Sequence, residues 1–370
     1  EEEERKNFLT VIAAFRFYRA CSFARVRQSE AYLNSLPPTH QLMLTKYREH
    51  LGRLRLCIDA NYRVIKLMMK NVDKLFENAK GFIAREELKF KNQELPEPFK
   101  NLKVHVTLKQ FARDWSIEGE EERRQCYTPI VNEILHYFDP SKINVQNVKV
   151  LVPGAGMGRM AYEIARHGFF CEGNEFSLFM LIASHFVLNK CKVENQHTIY
   201  PWIHQFVNNV YQSDQVTPIT FPDISPVKER TMGIFNMVAG DFLEVYDQPQ
   251  WDCVATCFFI DCANNVVQFI ERIYEILKPG GIWINLGPLL YHYSDIRDEF
   301  SIEPTYEDLV TVIKTMGFEF LRNETGIRTK YAQNPRSMQQ SEYLSLFWVC
   351  KKPEDPIEDD GDRILNYVEQ

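Results

Sequence analysis

The sequence lacks the features that mark several common protein classes. Its nine cysteines form no CxxC pair and no zinc-ligand spacing, so we expect buried reduced thiols and no structural metal. No apolar run approaches the ~18 residues of a membrane span, and no secretory signal pattern is present. Basic residues (43) are fewer than acidic ones (50), which argues against a nucleic-acid partner. These absences predict a soluble intracellular protein.

Negative charge is concentrated at both ends of the chain. Residues 1–4 read EEEE and residues 354–362 read EDPIEDDGD, and these runs carry much of the net charge of −7. Such runs are typical of solvated terminal segments, and we assign residues 353–370 to an acidic tail. The chain starts at Glu1 without a methionine, so we allow for an upstream segment.

Residues 1–92 carry apolar residues at helical spacing. A Pro-marked break at 35–41, SLPPTHQ, separates two long helical patterns, which predicts a helical hairpin. The hairpin would pack on the rest of the chain or on a second copy, and a partner-binding arm is the alternative. Residues 93–147 are interpreted as a helical linker that follows a polar stretch at 87–100.

Strands and helices alternate over residues 148–352, which predicts an α/β fold with a doubly wound, mostly parallel sheet. The seven strands that we expect read VKVLVP, FFCEGNE, NMVAGDF, WDCVATCFFID, GIWINLGP, FEFLRNE and YLSLFWVCK, the last a candidate antiparallel strand. Helices are expected near 159–167, 178–189, 264–277 and 306–316. Residues 192–235 interrupt this alternation. Because they are too many for a loop and too polar for a core element, we interpret them as an inserted lid or substrate wall.

A glycine cluster lies between the first strand and the first helix of this region, where α/β folds bind nucleotides. A triphosphate loop would need a Lys-Ser or Lys-Thr pair after the glycines, and none is present. The dinucleotide fingerprint would need a third glycine where Arg159 stands. The observed GxGxG spacing of Gly154, Gly156 and Gly158 lets the backbone approach a flat nucleoside or its amino-acid tail. Such turns also occur without a ligand.

Acidic residues stand at the ends of the following strands. Glu175 comes about 20 residues after the first glycine, where an acid can accept from both ribose hydroxyls; a solvated strand-end acid is the alternative. Asp241 could accept from an adenine amino group while Phe242 flanks the ring. The fourth strand ends TCFFID at the mouth where ligands bind in open α/β sheets. Together these parts predict an S-adenosylmethionine methyltransferase, whose nucleoside carries no phosphate.

Longer strings give a closer resemblance. The chain resembles the carnosine N-methyltransferase family in VPGAGMGRMAYEIA, GNEFSLFML, YPWIHQF, AGDF, CFFIDCANN and LKPGGIWINLGPLLYH, with similarity from about residue 108 to 352. The resemblance implies a Rossmann-like methyltransferase domain with an N-terminal helical extension. It also implies a homodimer in the cytoplasm or nucleus that methylates the imidazole of carnosine, β-alanyl-histidine, to give anserine. A small dipeptide substrate is implied, with no metal, nucleic acid or membrane.

The same resemblance implies cofactor contacts. Arg113 would pair with the carboxylate of the cofactor's methionine end, beside Gln110. Without the resemblance, both would be ordinary surface-helix residues. The other implied cofactor contacts are Gly154, Gly156, Glu175, Asp241, Phe242, Cys257 and Phe258.

On the substrate side, Asp261 is the leading catalytic candidate. Its carboxylate would accept the far N–H of the substrate imidazole, fix the tautomer and stabilise the ring cation. The alternative is that Asp261 caps a helix that begins at residue 262 or 263. The resemblance gives His292 a polar contact with the dipeptide, although a lone histidine beside an apolar run is usually structural.

Further substrate contacts are implied for two tyrosines. Tyr343, also a catalytic candidate, and Tyr331 would bind the polar ends of the dipeptide and wall its pocket. Ser341 departs from a tyrosine cluster of the family, so the pocket could be looser or suited to a related imidazole peptide.

The insertion adds aromatic lid candidates in Tyr200, Trp202 and His204, with simple packing as the alternative for Trp202. Three other functions stay open: methylation of histidine in longer peptides or proteins, a cofactor-binding scaffold without activity, and a dehydrogenase, which Arg159 opposes.

Overall fold

The structure, a computed structural model, describes residues 2–72, 98–297 and 299–354. The predicted acidic tail beyond residue 354, the end of the predicted hairpin and most of the predicted polar stretch lie outside the described residues. The chain divides into two compact units, whose boundaries differ from the four-part organisation expected from the sequence. The first unit comprises residues up to 120, 177–229 and 332–340, and the second comprises 121–176, 230–331 and 341 onwards.

Eleven α-helices and nine strands make up the described elements. The helices are α1 (Glu2–Ser35), α2 (Pro38–Met43), α3 (Thr45–Met68), α4 (Pro98–Trp115), α5 (Glu120–Tyr137), α6 (Arg159–Arg166), α7 (Leu178–Lys190), α8 (Gln212–Gln215), α9 (Phe242–Val245), α10 (Val266–Ile276) and α11 (Tyr306–Thr315). The strands are β1 (Lys149–Pro153), β2 (Phe170–Glu175), β3 (His197–Ile199), β4 (Ile219–Phe221), β5 (Phe235–Ala239), β6 (Trp251–Cys257), β7 (Leu277–Gly287), β8 (Glu319–Thr329) and β9 (Tyr343–Lys351).

The second unit is built on a seven-stranded sheet of order β5-β2-β1-β6-β7-β9-β8. The first five strands of that order pair in parallel, and β9 is antiparallel to both of its neighbours. Chain order reverses between β1 and β6, which is the switch point where open α/β sheets bind ligands. The predicted doubly wound sheet with an antiparallel last strand is therefore confirmed.

Both faces of this sheet are covered, as a parallel sheet requires. On one face, buried side chains of β1, β6 and β7 cluster with those of α5 and α6. On the other face, a second cluster joins the sheet to α10 and α11. Side-chain caps start both of these latter helices: Asn265 accepts from the Val267 N–H, and Thr305 forms a capping box with Asp308.

The first unit is mainly helical. Helices α1 and α3 pack against each other, and α1 also packs against α4. Strands β3 and β4 pair as a small antiparallel sheet. The expectation that residues 192–235 hold no core element is wrong, because this segment provides β3, β4 and several buried side chains. Those buried side chains are Ile199, Trp202, Ile203, Ile219 and Phe221.

All nine cysteines lie in the described residues and none forms a disulfide. Burial raises the pKa of Cys57 to about 11 and of Cys191 to about 12, so these side chains are thiols at neutral pH. The structure therefore has nine free thiols, six of them buried. Within the described ranges, no helix is both long and apolar enough to span a membrane.

A partly buried cluster of polar aromatic side chains lies in the first unit. The Tyr18 hydroxyl is 2.9 Å from His204 Nε2 and accepts a hydrogen bond from the Asn61 amide at 2.9 Å. The rings of His105 and His204 are stacked, with centroids 3.4 Å apart. Burial, and secondarily the charge of Lys109, lowers the pKa of His105 to about 4. Burial also lowers the pKa of His204, so both rings are neutral near pH 7.

We expect this histidine pair to make the fold sensitive to acid. Unfolded histidine titrates near pH ~6.5, so between that pH and about 4 the unfolded chain binds more protons than the folded chain. The free energy of unfolding therefore falls as the pH drops through this window, and His105 alone corresponds to about 3 kcal/mol. Because pH 5 lies about 1.5 units below the unfolded pKa, urea unfolding at about pH 7 and about pH 5, followed by tryptophan fluorescence, measures about 2 kcal/mol of this loss.

His105→Gln should reduce the pH dependence, because glutamine does not titrate. The exposed His40, in α2, provides the matched control, since His40→Gln should leave the dependence as it is. An unchanged dependence in His105→Gln would assign the acid sensitivity to other groups.

Candidate active site

The glycine turn after β1 has the backbone conformation that its sequence requires. Gly154, Gly156 and Gly158 have φ values of 63°, 56° and 80°, in the left-handed region that favours glycine. A Cβ on Gly154 would lie 2.5 Å from Cδ2 of Phe259, so only glycine leaves room for this ring. Gly158 then precedes the first residue of α6. The turn thus presents bare backbone at the switch point of the sheet.

Glu175 lies directly against this turn at the end of β2. One of its carboxylate oxygens, Oε2, accepts a hydrogen bond of 2.8 Å from the N–H of Gly156, and the residue is 9% exposed. The alternative of a solvated strand-end acid is therefore excluded. A buried carboxylate at this place disfavours a phosphate and suits hydroxyl donors such as those of a ribose.

Asp241 and Phe242 have local structural roles after β5. Asp241 is the N-cap of α9, and its Oδ1 accepts from the N–H of Leu243 at 2.8 Å. The buried ring of Phe242 packs edge-on against the rings of Phe259 and Phe269, each at 5.5 Å. Contacts of Asp241 and Phe242 with an adenine ring stay predictions.

The end of the fourth predicted strand differs from the expectation. Strand β6 ends at Cys257, and Phe258 adopts a left-handed φ of 52°, which is uncommon for a side chain of this size. A short 3-10 helix, Ile260–Cys262, follows and holds Asp261. Helix α10 is capped by Asn265, so the alternative that Asp261 is a helix cap is excluded. Unusual backbone of this kind is concentrated at functional sites.

Only one of the two carboxylate oxygens of Asp261 has a hydrogen-bond partner in the described part of the chain. Its Oδ2 accepts a hydrogen bond of 2.9 Å from the N–H of Leu290, in the segment that follows β7. Its Oδ1 is buried and has no hydrogen-bond partner among the described residues. Burial raises the pKa of Asp261, while the Leu290 N–H and the nearby His292 act in the opposite direction. The side chain therefore presents a fixed carboxylate with one unused acceptor.

His292 lies beside this carboxylate. Its backbone N–H donates to the carbonyl oxygen of Asp261 at 2.9 Å, which fixes the segment after β7 against the 3-10 helix. One side-chain ligand atom each from Asp261, Cys262 and His292 lies within 4.8 Å of the other two. The structure therefore brings the two polar substrate candidates, Asp261 and His292, together.

Three aromatic candidates also lie together. The ring of Phe258 is 4.9 Å from that of Tyr331 and 5.8 Å from that of Tyr343. Tyr343 begins β9 and pairs there with Thr329 at the end of β8. The Cys262 thiol donates to the carbonyl oxygen of Phe258 at 3.8 Å, which links this aromatic group to the segment of Asp261.

The cofactor candidates of α4 belong to the first unit. Gln110 and Arg113 are 6% and 5% exposed, so the alternative of ordinary surface residues is excluded. The guanidinium of Arg113 donates from Nη1 to Asp114 Oδ1 at 3.0 Å. A Cβ on Gly119 would lie 2.1 Å from the carbonyl oxygen of Arg113, so the chain after α4 requires glycine there. Their contacts with a cofactor stay predictions.

The lid candidates of the insertion also lie in the first unit. The backbone of Tyr200 makes two hydrogen bonds with the Asn61 side chain, at 2.7 and 2.9 Å. Trp202 is 3% exposed, which supports the packing alternative, and His204 has Tyr18 and His105 as partners. Substrate contacts of Tyr200, Trp202 and His204 stay predictions.

Sequence reasoning missed the groups that fix the predicted residues in place. The N–H of Leu290, the ring of Phe259 and the thiol of Cys262 are each defined by contacts between distant strands or by a backbone turn. Glycine spacing gave the position of the turn but no signal for the Gly156 N–H as the partner of Glu175.

Comparison with known proteins adds independent information. A family model described as carnosine N-methyltransferase matches residues 90–354. Three curated relatives are similar over almost the whole chain. "Carnosine N-methyltransferase unmet" of Drosophila melanogaster is 51% identical over 96% of this chain and 81% of its own length. The carnosine N-methyltransferase of Mus musculus is 43% identical over 96% of this chain and 88% of its own length. That of Schizosaccharomyces pombe is 39% identical over 95% of this chain and 97% of its own length.

Proposed function

The chain belongs to the carnosine N-methyltransferase family, and we propose that it transfers a methyl group from S-adenosylmethionine to an imidazole nitrogen of carnosine, giving anserine. The observation that carries the proposal is the buried Oδ1 of Asp261, which has no hydrogen-bond partner in the described residues. A buried polar atom without a partner is costly, and a substrate N–H would satisfy it.

An imidazole substrate fits this acceptor. A neutral imidazole has one N–H donor and one nitrogen with a lone pair, and its ordinary pKa of ~6.5 makes this form abundant at neutral pH. When Asp261 Oδ1 accepts the N–H, the tautomer is fixed and the other nitrogen is left free to attack. Because Leu290 holds Oδ2, the direction of the accepting oxygen is fixed before the substrate binds.

The same carboxylate acts during the reaction. When bound, S-adenosylmethionine supplies a methyl group whose bond to the sulfonium sulfur breaks as the bond to the ring nitrogen forms. The ring becomes a cation, and the negative charge of Asp261 stabilises it. Burial makes this ionised carboxylate unfavourable when it is alone, so the interaction strengthens as positive charge develops. The proton held between the ring and Asp261 then leaves to solvent.

Two further groups support the binding of such a ring. The rings of Tyr331 and Tyr343 lie 4.9 and 5.8 Å from the ring of Phe258. Aromatic faces of this kind attract a cationic ring. The exposed His292 can make a polar contact with the dipeptide backbone. Neither group needs to remove a proton before attack.

The residues of the glycine turn fit the nucleoside of the proposed cofactor. The left-handed glycines leave backbone groups open, and the carboxylate of Glu175 can accept from ribose hydroxyls in addition to the Gly156 N–H. An acid at the end of this strand also occurs in dinucleotide-binding folds, so the feature that disfavours the dehydrogenase alternative is Arg159, which stands where the dinucleotide fingerprint has its third glycine.

The test is methylation of carnosine by the purified protein with isotopically labelled S-adenosylmethionine. We expect the label on an imidazole nitrogen of the product, as read by mass spectrometry and NMR. β-Alanyl-alanine, which has no imidazole, is the matched control and should stay unlabelled. Competition between carnosine and a longer histidine peptide then separates the two methyltransferase hypotheses. Label transfer to the peptide alone would overturn the proposal, and cofactor binding without any transfer would favour the scaffold.

A further inference from the structure

Asp261, Cys262 and His292 bring three different metal-ligand types to one place. A carboxylate oxygen, a thiol sulfur and an imidazole nitrogen lie within 4.8 Å of one another. Hard cations such as Mg²⁺ and Ca²⁺ prefer oxygen ligands alone, whereas Zn²⁺ binds this mixed set. The chemistry of the cluster therefore points to a borderline-soft divalent ion.

The carboxylate of this cluster is already fixed and has one unused acceptor. Asp261 is 1% exposed, its Oδ2 is held by Leu290, and its buried Oδ1 has no partner in the described part of the chain. A cation at Oδ1 would satisfy this atom and neutralise a charge that burial disfavours. This is a second reason, independent of the donor types, to expect a positively charged or N–H-bearing ligand there.

The other two ligands can reach the same point with a small adjustment. In a tetrahedral Zn²⁺ site the ligand atoms stand about 3.3–3.5 Å apart, given metal–ligand distances of about 2.0–2.3 Å. The observed upper limit of 4.8 Å exceeds this spacing by at most about 1.5 Å, a difference that side-chain movement can close. His292 is exposed and lies in a turn, so its ring is free to make this movement. Three protein ligands leave the fourth position open to water.

We propose that one Zn²⁺ ion binds Asp261, Cys262 and His292 and inhibits methyl transfer by occupying Oδ1 of Asp261. On binding, the Cys262 S–H bond breaks, its proton goes to solvent and a sulfur–zinc bond forms. The inhibition part rests on the proposed function, because the ion and the substrate imidazole would compete for the same oxygen. The binding part does not depend on any activity.

Binding is tested with the metal alone on the full chain. Competition with a chromophoric Zn²⁺ chelator should give one ion per chain, and Co²⁺ in its place should give a thiolate-to-cobalt absorption band. Cys262→Ser keeps the size of the side chain but removes the thiolate, so the Co²⁺ band should disappear and Zn²⁺ affinity should fall by at least about 10-fold. Cys21→Ser removes a thiol of similar partial exposure in α1 and should change neither readout.

Inhibition is tested at fixed free Zn²⁺ in a metal buffer, because carnosine itself has an imidazole that binds the ion. We expect inhibition to be competitive with carnosine and to be weakened in Cys262→Ser, with the inhibition of each protein expressed relative to its own activity without metal. Zn²⁺ affinity or a Co²⁺ band that survives in folded Cys262→Ser would overturn the site. Inhibition that carnosine cannot relieve would overturn the competition. If no carnosine is methylated, the chelator and Co²⁺ measurements still decide the metal site.

Discussion

Replacing Asp261 by asparagine is expected to lower kcat for carnosine methylation by roughly 10²- to 10⁴-fold and to change cofactor affinity by less than about threefold. The amide oxygen of asparagine can still accept from the Leu290 N–H, so the segment after β7 keeps its place. The change removes the negative charge that selects the substrate tautomer and stabilises the ring cation. Single-turnover rates with labelled cofactor, and cofactor affinity by calorimetry, measure the two quantities separately.

Thermal stability distinguishes this catalytic role from a structural one. Because burial raises the pKa of Asp261, its ionised form destabilises the folded state at neutral pH, and Asp261→Asn should not lower the Tm. Asp252, on β6, the strand that precedes the 3-10 helix of Asp261, is the matched control. It accepts from the Lys149 N–H at 2.8 Å and pairs with Lys278 at 2.7 Å, so Asp252→Asn should lower the Tm while kcat is largely kept. Equal losses of Tm and cofactor affinity in Asp261→Asn would remove the proposed role.

The alternating pattern of the chain predicted the sheet because its signal is local and repeated. The inner strands of the second unit, such as β1 and β6, are short and largely apolar, and each of the three glycines of the turn adopts a left-handed φ. The prediction that the fourth strand continues to Asp261 was wrong for a related reason. Residues 258–261, FFID, look like a continued apolar strand, whereas Phe258 turns the chain into a 3-10 helix. No local pattern distinguishes the two.

The contacts of the candidate site could not be read from the sequence because they join distant segments. The partner of Asp261, Leu290, comes from the other side of β7, and it is a backbone group that any residue type would provide. The insertion shows a related limit. Its average composition is polar, but a few apolar side chains such as Ile199, Trp202 and Phe221 are enough to place it in the core of the first unit.

Replacing Glu175 by alanine is expected to weaken cofactor binding by roughly 10²- to 10⁴-fold, since hydrogen bonds to a charged acceptor contribute about 1.5–3 kcal/mol each and a ribose offers two hydroxyls. kcat at saturating cofactor should change little, because the carboxylate acts on the nucleoside and not on the reacting methyl group. Glu175→Gln should give an intermediate affinity, since its amide oxygen can still accept from the Gly156 N–H at the glycine turn.

Glu172 provides the control on the same strand. Its carboxylate accepts from the Tyr246 hydroxyl at 2.8 Å and has no assigned role at the glycine turn, so Glu172→Ala should bind the cofactor like the parent. Calorimetric titration with S-adenosylhomocysteine measures all three variants without turnover. If Glu175→Ala kept full affinity, the acid at the end of β2 would serve only to hold the Gly156 N–H, and the nucleoside would have to be bound by other residues of the turn. If kcat fell with affinity unchanged, the separation of cofactor binding at Glu175 from substrate activation at Asp261 would fail, because the two carboxylates would then act on the same step.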